Sequence, residues 1–133
     1  MASEPKTLGE LFGEPSRTDW SPKDIVQKTV GLKGISGAIV ALQDGLMVAG
    51  ELPAPFKAEP AAAFLPQIFG RMVQYAKELN LGDMASLTVE CNKAPLHIPR
   101  AGLVYFGVLG KAGEELPAGQ IKLIASELAK QNK

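Results

Sequence analysis

The chain has 133 residues, 46% of them apolar and 21% charged, with 14 basic and 14 acidic side chains that cancel. That length is one domain, large enough to bury about two-thirds of its unfolded surface and to fold without disulfide or metal. The balanced charge gives no pull toward nucleic acid or anionic lipid, and it leaves self-association permitted.

The start, MASEPKTLGE, is polar and does not read as a secretory signal. The longest apolar stretch, 102–110, is far short of the roughly 20 residues a bilayer span needs. No membrane insertion and a cytoplasmic setting are therefore expected. Cys91 is the only cysteine, which excludes an intramolecular disulfide and any multi-cysteine metal site.

Residues 1–19 read as an N-terminal tail carrying LGELFG, in which Leu8, Leu11 and Phe12 share one helical face. This turn either packs against its own domain or serves as a docking peptide for another protein's groove. The domain proper, 20–131, opens with WSPKDIVQKTV. Ser21 suits an N-cap, Pro22 the first helical position and Asp24 the acid of a capping box, with Trp20 and Ile25 as a hydrophobic staple. Gly31 and Gly34 end that helix.

The next strand puts Ile35, Gly37, Ile39 and Ala41 on one face and Ser36, Ala38, Val40 and Leu42 on the other. Apolar on both faces, it should be central. Asp44-Gly45 suits a tight hairpin turn, and Leu46, Val48 and Met47, Ala49 repeat the two-faced pattern on the return strand. After a proline-rich loop comes the longest helical stretch, about 60–80. Leu65, Ile68, Met72, Ala76 and Leu79 form one apolar face, and Phe64, Phe69 and Val73 continue round the cylinder. So wide an arc must bury more than a single sheet can cover. At Pro66 the helix either kinks or restarts near Leu65. Gly82 suits the closing cap.

Ala85, Leu87, Val89 and Cys91 then alternate with polar Ser86, Thr88 and Glu90, which suits a strand nearer the sheet edge. PLHIPR is a short strand whose prolines make its pairing imperfect. GLVYFGVLG should again be central. LPAGQIKLIASELAKQ closes the chain as an amphipathic helix, with Ile121, Ile124, Ala125 and Leu128 in register. The order α-β-β-α-β-β-β-α predicts an α+β single-domain sandwich, a five-stranded mainly antiparallel sheet with helices on both faces.

Three pieces occur in this order: VGLKGISGAIVALQDGLMVAG, then FLPQIFGRMVQYAKELNLGD with an alternating strand, then GLVYFGVLG before an amphipathic helix. Together they resemble the Roadblock family of profilin-like sandwiches, related to dynein light chains and bacterial regulators of small GTPases, over about residues 21–130. The resemblance implies a homodimer in which the long helix and the following edge strand meet their copies. Phe64, Phe69, Val73, Ser86 and Thr88 would then lie at the interface. It also implies a small Ras-like GTPase as partner, met by Phe56, Gln67, Arg71 and Gln74. The apolar hairpin would be the stiff middle of that platform.

The residues themselves offer little chemistry, so no enzyme activity and no cofactor or metal are expected. His97 is the only histidine, read as a surface or cross-strand packing residue. Cys91 alternates with core positions and reads as structural. No Gly-x-x-x-x-Gly-Lys phosphate loop occurs, and the dispersed basic residues form no nucleic-acid stripe. Arg71 is a solvated helix arginine or, on a GTPase, an arginine finger. Tyr75 and Glu78 read as helix-surface residues. Two other functions compete with the GTPase platform. One is an assembly adaptor joining larger proteins through its dimer and tail. The other is a small-ligand sensor, against which stand the uniformly apolar inward positions.

Overall fold

The computed structural model describes residues 4–131. Its elements in chain order are α1 (Leu8–Leu11), α2 (Pro22–Val30), β1 (Ile35–Ala41), β2 (Met47–Glu51), α3 (Ala58–Glu78), β3 (Ser86–Val89), β4 (Leu96–Ala101), β5 (Val104–Gly110) and α4 (Ala118–Gln131). The five strands form one sheet in the order β2-β1-β5-β4-β3, antiparallel throughout. The expected α+β sandwich is what the chain builds.

Strands buried on both faces sit in the middle because each face needs a cover. On one side, Ala38, Val40, Phe106 and Val108 pack under α2 and α4. On the other, Ile39, Ala41 and Ile98 pack under Ala62, Leu65 and Phe69 of α3. Gly107, in central β5, lets α3 approach closely: a Cβ there would lie 3.0 Å from a methyl of Leu65. Ile35 departs from the expected alternation and joins the α2/α4 side. The register irregularity between Ile35 and Gly37 turns it over.

The local chemistry of α2 is as read. Ser21 accepts from the Asp24 N–H, Asp24 accepts in return from the Ser21 N–H, and Pro22 starts the helix. Hydrogen bonding with Ser21, helped by Arg17, holds the Asp24 carboxyl below its usual range. Trp20 and Ile25 are both buried in one cluster. Inside the helix, buried Thr29 satisfies its hydroxyl by donating to the Ile25 carbonyl at 2.6 Å.

Several local expectations change. The first hairpin is closed by Leu42 and Leu46, whose backbones pair at 2.9 Å, so its loop spans 43–45. Gly45 takes the left-handed position (φ 87°) and Asp44 accepts from the Leu46 N–H. This is a type I-like turn plus a left-handed residue, which suits Asp-Gly as well as the two-residue turn does. The return strand β2 is an edge rather than two-sided core, and Met47 and Val48 are exposed.

Helix α3 is continuous through Pro66 and does not restart at Leu65. Its end is closed by Asn80, not Gly82. Asn80 is left-handed (φ 60°), the Leu81 N–H bonds back to the Ala76 carbonyl and the Asn80 N–H to that of Lys77. That pair of bonds is the Schellman motif, in which asparagine tolerates the left-handed site. Strand β4 keeps one register against β5 on both sides of Ile98-Pro99, but the ladder is interrupted there, as a residue without an N–H requires.

The LGELFG turn packs against its own domain. Leu8 is 3% exposed in the α2/α4 cluster, and Leu11 and Phe12 pack onto it.

Candidate dimer and partner surface

Two apolar stripes run along α3, and only one is used by its own sheet. The inward stripe is Ala62, Leu65, Phe69 and Val73. The outward stripe is Phe64, Met72, Tyr75 and Leu79 along one flank, with Ile68 between them half-buried against the core of α3 and the sheet. Phe64 is 56% exposed, Tyr75 47% and Leu79 68%.

The division differs from the one expected. Phe69 is core: it is buried, meets Tyr105 edge-on at 5.8 Å and has the Arg100 guanidinium 5.5 Å from its ring. Val73 packs half-buried against the same cluster. Met72 and Leu79, read as sharing one face with Leu65, are exposed while Leu65 is buried. Periodicity shows that two stripes exist but not which one seats against the sheet. The flat spot at Gly107 settles that, by receiving Leu65.

The outward stripe overlooks the outer half of the sheet, which α3 covers only in part: Ile98 is buried and Leu96 half-buried. Helix α3 lies over β1, β2 and β5. Beside it opens an apolar cavity of about 270 Å³, lined by Leu52, Phe56, Phe64, Ile68, Leu96 and Leu109, with Lys57 its one charged residue. Farther out, Leu87 is half-buried and Val89 exposed. Strand β3 is the sheet's edge and pairs with β4 alone. It therefore offers an unpaired backbone ladder to a further strand. Ser86 and Thr88 are exposed on this strand, as expected of its polar face.

The polar crest of α3 lies beside the same stripe. Gln67, Arg71 and Gln74 are all exposed and fall on one helical line. Gln67 donates to the Ala63 carbonyl at 3.5 Å and Gln74 to Glu78 at 3.2 Å. Among the described residues, Arg71 has no hydrogen bond or ion pair and is free to meet a partner. Phe56, exposed in the loop before α3, lines the apolar cavity.

On the opposite sheet face, His97 Nδ1 lies 2.6 Å from the Thr88 hydroxyl. Burial lowers its pKa, so the ring is neutral near pH 7. It is a cross-strand packing residue without a nearby nucleophile or carboxylate. Cys91 lies beyond the end of β3 and is exposed, because the strand stops at Val89 and the alternation with core positions stops with it. Among the described residues, no group of three His, Cys, Asp or Glu side chains could hold a metal, and no helix is long and apolar enough to cross a membrane.

The apolar residues left uncovered that the sequence reading did not assign to a contact surface are Tyr75, Met72 and Leu79 on the helix, with Leu96 and Leu109 lining the cavity beside it. A signal did exist: Phe64, Ile68, Tyr75 and Leu79 repeat at helical spacing as regularly as the inward set.

Known structures share this architecture. A Roadblock/LC7 domain from Streptomyces avermitilis superimposes with a TM-score of 0.67 at 19% identity, covering 82% of this chain and 92% of that one. Myxococcus xanthus MglB gives a TM-score of 0.73 at 15% identity, covering 82% and 92%. Acanthamoeba castellanii profilin IB gives 0.62 at 14% identity, covering 85% and 100%. No curated protein matches the chain in sequence. The sequence model of the Roadblock/LC7 domain matches residues 23–110, from α2 to the end of β5. The chain belongs to the Roadblock/LC7 domain family.

Proposed function

We propose that this protein is a non-enzymatic homodimeric platform that regulates or positions a small Ras-like GTPase. One observation carries the dimer: an exposed apolar helix flank and a partly covered outer half-sheet lie side by side, next to an open strand edge. A second copy turned about a two-fold axis supplies the missing halves. Its β3 extends the sheet and its α3 covers the outer strands, so that Phe64, Ile68, Met72, Tyr75 and Leu79 meet their counterparts. Such a self-complementary patch is what a two-fold contact requires. Each large side chain so buried contributes about 1.5–3 kcal/mol before the costs of association are subtracted.

In that dimer the two polar crests, Gln67, Arg71 and Gln74, lie side by side and form a single face with Phe56 at its rim. This is the surface we assign to the GTPase, and the assignment of partner class rests on family membership. For the adaptor reading, the tail is not presented to another protein in this conformation, since Leu8 is turned into its own domain.

The test is titration with Ras-like GTPases of the same genome in GDP and GTP-analogue states, using wild type and Arg71→Ala. Binding that prefers one nucleotide state and weakens with Arg71→Ala is expected. Absence of binding in both states removes the GTPase from the proposal.

A further inference from the structure

The segment before α2 lies outside the matched family domain, yet it fills a groove on α4. Helix α1 rests on α4, and Leu8 joins the cluster that contains Ile121, Ile124 and Leu128. Phe12 meets Trp20 edge-on at 5.3 Å. Thr7 caps the turn by accepting from the Glu10 N–H at 3.1 Å. This is the way a short amphipathic helix is held in a partner's groove, except that the ligand is the chain's own.

The attachment depends on its surroundings. A helix of four residues, one of them Gly9, has no stability of its own, so its order depends on the groove. The rest of the strap is held by polar contacts near its surface. Arg17 stacks 3.9 Å over Trp20 and pairs with Asp24 at 2.7 Å, and Glu14 pairs with Arg17 at 3.5 Å and Lys28 at 3.3 Å. These side chains are partly exposed and therefore screened by salt. Segments of this kind open at a lower free energy than the core they cover.

We infer that residues 7–12 are an exchangeable occupant of the α4 groove and that a second copy of the chain supplies the same segment in trans. The resident segment shows what the groove accepts: a capped turn presenting Leu-x-x-Leu-Phe. An identical segment from another copy remakes the contacts of residues 7–12 with the groove, so exchange between copies costs only the bonds of the hinge. Residues 13–19 form the hinge. They are folded back in place by bonds from the Glu14 N–H to the Gly9 carbonyl and from the Arg17 N–H to the Glu14 carbonyl. Extended, they reach about 24 Å. The groove lies on the α4 face, away from the α3 flank, so exchange stands independently of the dimer proposed above.

Energy transfer between full-length copies tests this. In a Cys91→Ser background, one preparation is labelled on the strap at Ser16→Cys and the other on α4 at Ser126→Cys; Ser16 and Ser126 are both exposed. Transfer should develop after mixing, more rapidly at raised salt. It should fall to background when the strap-labelled chain carries Leu8→Asp. Gly9→Ala provides a second arm that leaves the groove untouched: a Cβ at Gly9 would meet the carbonyl oxygens of Glu14 and Arg17 only while the strap is folded back, so transfer should develop more rapidly. Transfer should also persist when both chains carry Phe64→Asp. Absence of transfer, or transfer unaffected by Leu8→Asp and Gly9→Ala, overturns the inference, and so does transfer abolished by Phe64→Asp. Failure of both strap variants to fold by circular dichroism would show the strap to be integral, and would overturn it equally.

Discussion

The two faces of the sheet are covered differently. On one face, α2 lies over β1 and β2, and α4 over β4 and β5, with α1 laid on top. Helix α4 has one apolar stripe, Ile121, Ile124, Ala125 and Leu128, and all of it is buried. On the other face, α3 alone covers β1, β2 and β5, and it keeps a second apolar stripe in solvent. On the closed face the apolar stripe of each helix is used within the chain's own core. The open face holds apolar side chains that the monomer does not use, and such a surplus marks an interaction surface.

If this contrast is right, equivalent-looking apolar residues on the two faces respond differently to mutation. Ile124→Ala should cost about 2–5 kcal/mol of stability by chemical denaturation, the range for emptying a packed core site. A near-neutral result would mean that the α4 face is looser than described. Phe64→Asp should leave the fold of the separate chain intact, with melting of the monomer shifted little, while abolishing self-association, because a charge in a dry contact is costly. Global unfolding by this substitution would place Phe64 in the core and erase the contrast.

A smaller effect is expected where the closed face begins. Ser21→Ala removes the cap of α2 and should cost about 1 kcal/mol, measured by urea unfolding. Since α2 is distant from the α3 flank, the solution mass should not change. The smallest effect is in pH. Burial holds the folded His97 pKa below its ordinary 6.5, so the folded state binds fewer protons than the unfolded state does. Its contribution to stability is complete above the unfolded pKa and declines as pH falls below about 6.5 toward the folded value. His97→Gln should flatten that acid slope between neutrality and pH 5, and an unchanged slope would assign it to other groups.

Much of this was legible in the residues, and the contrast between faces explains what was not. Strand order in the chain, the α2 capping box, the edge position of β3 and the four buried positions of α4 all follow from local spacing and hydrogen-bonding chemistry. Each involves neighbours in sequence, or one helix face against one sheet. The seating of α3 does not. Its two stripes are equivalent in sequence, and only the fit of Leu65 against Gly107, forty-two residues away, chooses between them. That choice moved Phe69 from the expected interface into the core and moved Met72 and Leu79 outward. Cys91 was misread for a simpler reason: alternation does not show where a strand stops. The left-handed cap at Asn80 was hidden because glycine, two residues on, was the more obvious candidate.

The most direct test of the open face is solution mass across a concentration series by light scattering, with wild type and Phe64→Asp side by side. The chain mass is 14.1 kDa. Wild type should have twice that mass and Phe64→Asp the mass of one chain. A wild-type particle that stays at one chain mass at high concentration would contradict the account.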